Sequence, residues 1–139
     1  MWKTGLIAAV ALIGLAACSN DSDDAANNSA ESAPVGHDYV STEVVGSPIP
    51  GGGPLELGLQ ESDKATLFAG CNTATAAVDL SNGTFVVTGL ESTTNECSAE
   101  TIGADGWISD LLQRQPTWTL DGTTLTLTAG NQIVTLAQK

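Results

Sequence analysis

Three cysteines, one histidine and 16 acidic side chains hold most of the chemistry this chain could perform. Cys71, in Gly70-Cys71-Asn72, is the first candidate for a nucleophile. A reactive thiol needs a base or a cation nearby to favour the thiolate. No Lys or Arg lies within six residues of Cys71, and the single histidine, His37, stands far ahead of it. A structural role fits these residues better. Gly70 permits a tight backbone, Cys71 pairs or packs, and Asn72 is expected to bond local backbone in a turn. No catalytic residue is therefore assigned. One histidine and two cysteines expected to pair do not make a zinc set. No Asp-x-Asp-x-Asp-Gly calcium loop occurs either. Neither a metal nor a cofactor is expected. Glu43, Asp79, Glu91 and Glu96 remain as acids for a carboxylate pair, which forms in space rather than in sequence.

Cys18 has a different setting. Met1-Trp2-Lys3, an apolar run from Leu6 to Ala16 and the small residues Ala16-Ala17 precede it. This layout resembles a bacterial lipoprotein signal peptide, with Leu15-Ala16-Ala17-Cys18 as its lipobox. The apolar run is 11 residues long, short of the roughly 20 that a spanning helix needs. The resemblance implies export, cleavage before Cys18 and a diacylglycerol on its thiol. Ordinary secretion and an uncleaved anchor are the other readings. More than one acyl chain makes such anchoring stable. The expected address is outside the cytosol, tethered to a membrane. With Cys18 assigned to lipid, Cys71 and Cys97 remain as an even pair. In an exported chain that suggests a disulfide. Two reduced thiols packed as small hydrophobes are the alternative.

The formal net charge is −12. Loss of Lys3 with the leader leaves Lys64, Arg114 and Lys139 against 16 acids, a net −13. Nucleic acid would repel such a surface, because binding it requires Lys and Arg to displace counterions. Aromatic residues make up 4% of the chain, so Val, Leu, Ile and Ala must build the core, helped by Trp107 and Trp118.

Three segments follow: a leader over residues 1–17, a lipidated cysteine and flexible acidic tether over 18–37, and a folded domain over 38–139. The tether is rich in Asp, Asn, Ser and Ala, and cannot bury enough apolar surface to offset its ordering entropy. The domain reads as short β segments. Tyr39 to Val45 is one. Leu55, Leu57 and Leu59 alternate with Glu56, Gly58 and Gln60, as in a half-buried strand. Lys64 to Ala69 and Thr75 to Leu80 are further candidates. Asn82-Gly83 and Asp121-Gly122 each sit between β segments and predict tight type I′ hairpin turns. Gly130-Asn131 is expected to turn the chain into Gln132–Leu136. Between the first two hairpins, Ala104, Trp107, Ile108, Leu111 and Leu112 make one apolar helical stripe. Pro116 marks its stop, and the helix is expected to end near Gln113 and lie on the β layer.

Phe68-Ala69-Gly70-Cys71-Asn72 resembles the Gly-Cys-Asn signature of the META domain, also called the HslJ-like family. Thr84 to Leu90 is similar to that family's strand before its threonine-rich segment. Ser92-Thr93-Thr94-Asn95-Glu96-Cys97 is similar to that segment, which ends in cysteine. Trp107 with Leu111-Leu112 matches the apolar helix, and Leu120 to Leu127 the closing hairpin. The family's Gly-Thr-x-Trp-x-Leu opening has Tyr39 to Val45 as its counterpart, with no tryptophan. The resemblance implies a small antiparallel β-barrel-like domain with one helix packed on the sheet. Its members are envelope-associated or secreted, and no agreed molecular activity comes with them.

The expectation is a monomeric, non-enzymatic envelope lipoprotein with a binding or stress-related role. Its partners would be the membrane, through the lipid, and an envelope protein or ligand of unknown identity. Inhibition of an exported hydrolase and a carboxylate-based enzyme are the rival readings.

Overall fold

The computed structural model describes residues 33–139. The leader, Cys18 and most of the tether lie outside the described residues. Among the described residues, eight antiparallel strands form one curled half-barrel sheet with a single α-helix. The strands are β1 His37–Val45, β2 Glu56–Gln60, β3 Lys64–Phe68, β4 Thr73–Asp79, β5 Val86–Ser92, β6 Thr117–Asp121, β7 Thr124–Ala129 and β8 Gln132–Gln138. The helix, α1, spans Ala104–Gln113. Their order across the sheet is β5-β4-β3-β2-β1-β8-β7-β6. Two meanders are thus joined through β1 and β8, the first and last strands.

Period-two patterning decides which side chains fill the barrel. Leu57 and Leu59 of β2, Ala65 and Leu67 of β3, Leu125 and Leu127 of β7, and Val134 and Leu136 of β8 are buried. Their sequence neighbours face out. Strand β1 obeys the same rule only in halves. Its pairing with β8 slips between Ser41 and Glu43, a β-bulge that leaves Thr42 as the extra residue. Tyr39 is buried before the bulge and Val44 is half-buried after it. One inserted residue thus moves the inward face from odd to even positions.

The edge strands β5 and β6 meet at one end. Thr84 bridges Thr117, and the Phe85 N–H donates to the Pro116 carbonyl at 2.8 Å. Elsewhere α1 lies beside β5 and sends Ala104, Ile108, Leu111 and Leu112 into the common core. Strand β5 pairs with β4 alone and carries its own bulge. Gly89 and Leu90 together face Ala76, and Gly89 has φ 66°. A glycine in the left-handed region opens this kind of bulge, and the added twist blunts an edge that other chains could pair with.

The expected segments are present, with two turns built differently. At Asn82-Gly83 both residues have positive φ, as expected. Yet β4 ends at Asp79 and β5 starts at Val86, so the connection is six residues rather than two. Tertiary bonds hold its two ends. Phe85 is fully buried with its N–H on Pro116, and the Trp118 Nε1–H donates to the Leu80 carbonyl at 2.9 Å. At the second hairpin Asp121 pairs with Thr124, so the turn residues are Gly122-Thr123 rather than Asp121-Gly122. Gly122, φ 62°, takes the first central position, as a type II′ turn requires.

Trp107 and Trp118 sit half-buried at the core's margin, and each donates to a backbone carbonyl. Trp107 reaches the Ser47 carbonyl at 2.9 Å. Gln132 grips the same residue twice, accepting from its N–H at 2.8 Å and donating to its carbonyl at 3.0 Å. These bonds pin the Pro/Gly loop to α1 and β8. Gly51 of that loop, φ 87°, lies against the chain at Glu100 and Thr101, where a Cβ would come within 2.8 Å of the Thr101 methyl.

Tyr39 is fully buried, and its hydroxyl has no hydrogen-bond partner among the described residues. Burial pushes its phenol above the ordinary value. A raised folded pKa favours the protonated form, so this contribution is complete below the unfolded pKa of about 10 and is lost as pH rises through the folded value. Tyr39→Phe removes a desolvated hydroxyl. It is expected to raise unfolding free energy by about 1 kcal/mol at pH 7 and to flatten the loss of stability above pH ~10. Urea titrations of both proteins at neutral and alkaline pH check this.

Candidate functional site

The Gly70-Cys71-Asn72 turn links β3 to β4. Gly70 has φ 123°, a conformation that an L side chain rarely adopts, so a glycine is required where β3 reverses. Cys71 is joined to Cys97 in a disulfide, with Cα atoms 5.6 Å apart. Cys97 lies on the segment between β5 and α1, so the bond ties two stretches of chain 26 residues apart.

Asn72 is the centre of the site and is 6% exposed. Its Oδ1 accepts from the Asn95 N–H at 2.6 Å and from the Thr93 hydroxyl at 2.8 Å. Its Nδ2 donates to Asp105 Oδ2 at 2.7 Å and to the Asn95 carbonyl at 3.4 Å. Its backbone N–H donates to Asp105 Oδ1 at 3.1 Å. The amide can take one orientation here, since a flipped oxygen would face the Asp105 carboxylate. Thr93 completes the arrangement by accepting the Thr73 N–H at 3.0 Å on its hydroxyl oxygen. Asp105 sits in the first turn of α1, where a carboxylate also suits the helix dipole.

The turn after β3, the threonine segment after β5 and the start of α1 therefore converge on one amide. Sequence reasoning placed Gly70, Cys71, Asn72 and Cys97 here but expected Asn72 to bond its neighbours. Apart from the Cys71 Sγ, which accepts from Nδ2 at 3.2 Å, its partners are instead 21 to 33 residues away. Thr93 is one of several hydroxyls in its segment, and Asp105 is one acid among 16. Their offsets from Asn72 follow no local period, so pattern reading had no signal for them.

Within this cluster the potentially reactive groups are engaged with one another. The sulfurs of Cys71 and Cys97 and the carboxylate of Asp105 lie within 4.8 Å of one another, a spacing that metal ligands show. The disulfide leaves neither sulfur as a thiolate donor, and Asp105 is engaged by Asn72. The four acids considered as a catalytic pair are dispersed. Glu43 lines a pocket beside the Pro/Gly loop. Asp79 accepts from the Ser81 N–H at 2.9 Å and hydroxyl at 2.7 Å; these two bonds hold its carboxyl below the usual value. Glu91 and Glu96 are exposed on and beyond β5.

Comparisons with known proteins agree with this architecture. The model of the META domain matches residues 32–139. A protein solved by NMR is 27% identical, with 73% of this chain and 87% of that one covered and a TM-score of 0.59. A second NMR structure, of a protein from Burkholderia xenovorans, is 15% identical over 96% of this chain and 99% of that one, with a TM-score of 0.61, and shows likeness of fold. No curated protein matches the chain. With the family's glycine, cysteine and asparagine gathered where β3, β5 and α1 meet, and the match spanning the whole described domain, the chain belongs to the META domain family.

Proposed function

We propose that this chain is a lipid-tethered, non-enzymatic binding module displayed outside the cytosol. One observation carries the non-enzymatic part. Asn72 has its amide oxygen and nitrogen engaged by neighbours, and Cys71 is held in a disulfide. The family motif is thus a structural knot with no free nucleophile or base. A barrel interior filled by Leu, Val, Phe and Tyr side chains supports the same reading, since it leaves the outer surface for recognition. The leader ending in Leu15-Ala16-Ala17-Cys18 supports the tether. No helix among the described residues is long and apolar enough to cross a membrane; the attachment in this reading is lipid on Cys18.

The test is metabolic labelling with an alkyne palmitate analogue. Label on the wild-type chain and none on Cys18→Ala is the expected result. Equal labelling of both, or none on either, rejects the anchor. A second reading, inhibition of an exported hydrolase, has one observation in its favour. Ile102 stands 67% exposed on the segment that the disulfide braces. Rescue of a secreted protease's activity on changing Ile102→Asp would support it.

A further inference from the structure

Gly58 lies mid-strand in β2, where glycine weakens a sheet. Its backbone does not require it, because its φ lies outside the left-handed region. No bulge explains it either, since pairing runs without a slip from Asp38 through Gly58 to Thr66. The remaining reason for a strand glycine is close approach by another group, and here the chain's own Asp38 and Thr66 side chains make that approach. A Cβ there would lie 2.8 Å from the Thr66 hydroxyl oxygen and 2.9 Å from Asp38 Oδ1. Two oxygens therefore converge above the Gly58 Cα on the outer face of the sheet.

A pocket of about 220 Å³ surrounds this spot. Phe68 contributes an apolar wall, and Glu56, Thr73 and Lys139 contribute polar groups. Glu56 and Lys139 form an ion pair at 2.9 Å on the rim. The volume falls below the roughly 300–1,000 Å³ of drug-sized sites, so it suits one small ring. Acceptors and a donor side by side beside an aromatic wall match a ring with hydroxyl edges and an apolar face. Asp38, Glu56 and Lys139 carry one more negative charge than positive, which favours a cationic substituent.

We propose that this dip over Gly58 binds a single saccharide ring bearing an amino group. Asp38 and Thr66 accept from the ammonium, and Phe68 packs against the ring. The proposal extends the binding role above but stands whether or not Cys18 carries lipid, so the palmitate experiment and this one fail separately.

The test is titration of the 15N-labelled full chain with glucosamine, glucose and glucuronate, read on backbone amides. Glucosamine is expected to shift Gly58, Thr66, Phe68 and Lys139 saturably in the millimolar range. Glucose should bind about tenfold more weakly, since it lacks the charged donor. Glucuronate should give no saturable shift. Gly58→Ala displaces the Thr66 and Asp38 oxygens that crowd its Cβ position, so it should abolish the response while distant amides keep their positions. No saturable shift with any of the three sugars, or an undiminished response in Gly58→Ala, overturns the site. Glucuronate binding as tightly as glucosamine overturns the preference for an amine.

Discussion

Changing Cys71 and Cys97 together to serine is expected to lower unfolding free energy by roughly 3–4 kcal/mol. That is the chain-entropy value for a bond spanning 26 residues. For a domain near 100 residues each kcal/mol corresponds to about 4–8 °C in Tm, so the shift should exceed ten degrees. The loss has a second component, because the bond also positions Asn95 and Thr93 to meet Asn72. Native-state hydrogen exchange separates the two. Entropy alone weakens all slow amides equally. Loss of positioning additionally exposes the Asn95 N–H, which Asn72 Oδ1 accepts at 2.6 Å. A double variant as stable as wild type in reducing and oxidising buffer alike would show that the bond contributes nothing.

Asn72→Ala is expected to cost about 2–4 kcal/mol, because it strands the Thr93 hydroxyl proton, the Asn95 N–H and the Asp105 Oδ2 together. Asn72→Asp should cost more, since it sets a second carboxylate against Asp105. Its oxygens still accept from Thr93 and Asn95, so the added loss isolates the electrostatic clash. Adding Asp105→Asn to Asn72→Asp exchanges donor and acceptor across the contact and should recover at least half of that loss. Urea denaturation of the three variants and wild type forms the needed comparison. A double variant no better than Asn72→Asp alone would mean that these two side chains do not bond each other as described.

Much of the architecture was legible along the chain because sheets and helices are local periodicities. Leu55, Leu57 and Leu59 mark β2, and the stripe from Ala104 to Leu112 marks α1. Glycine and asparagine mark turns through allowed φ. The errors fell where distant contacts set local geometry. Asn82-Gly83 has the dihedrals of a tight turn, yet the connection widens because Phe85 is drawn to Pro116 and Leu80 to Trp118. The bulge at Ser41 to Glu43 escaped notice because β1 alternates imperfectly, and its register depends on β8, almost a hundred residues on.

The candidate site divides the same way. Cys71, Cys97, Gly70 and Asn72 are distinctive residue types, so the letters alone pointed at them. Thr93 and Asp105 are ordinary polar residues until folding brings them to Asn72. Sequence by itself determined the strand and helix periods, the acidic surface, the pairable cysteines and the family motif. Tertiary structure alone decided what Asn72 holds, where the sheet bulges and why Gly58 leaves a dip. The physical reason is range: periodicity and φ preference act within a few residues, whereas hydrogen bonds and close approach depend on distance in space, which chain order does not encode locally.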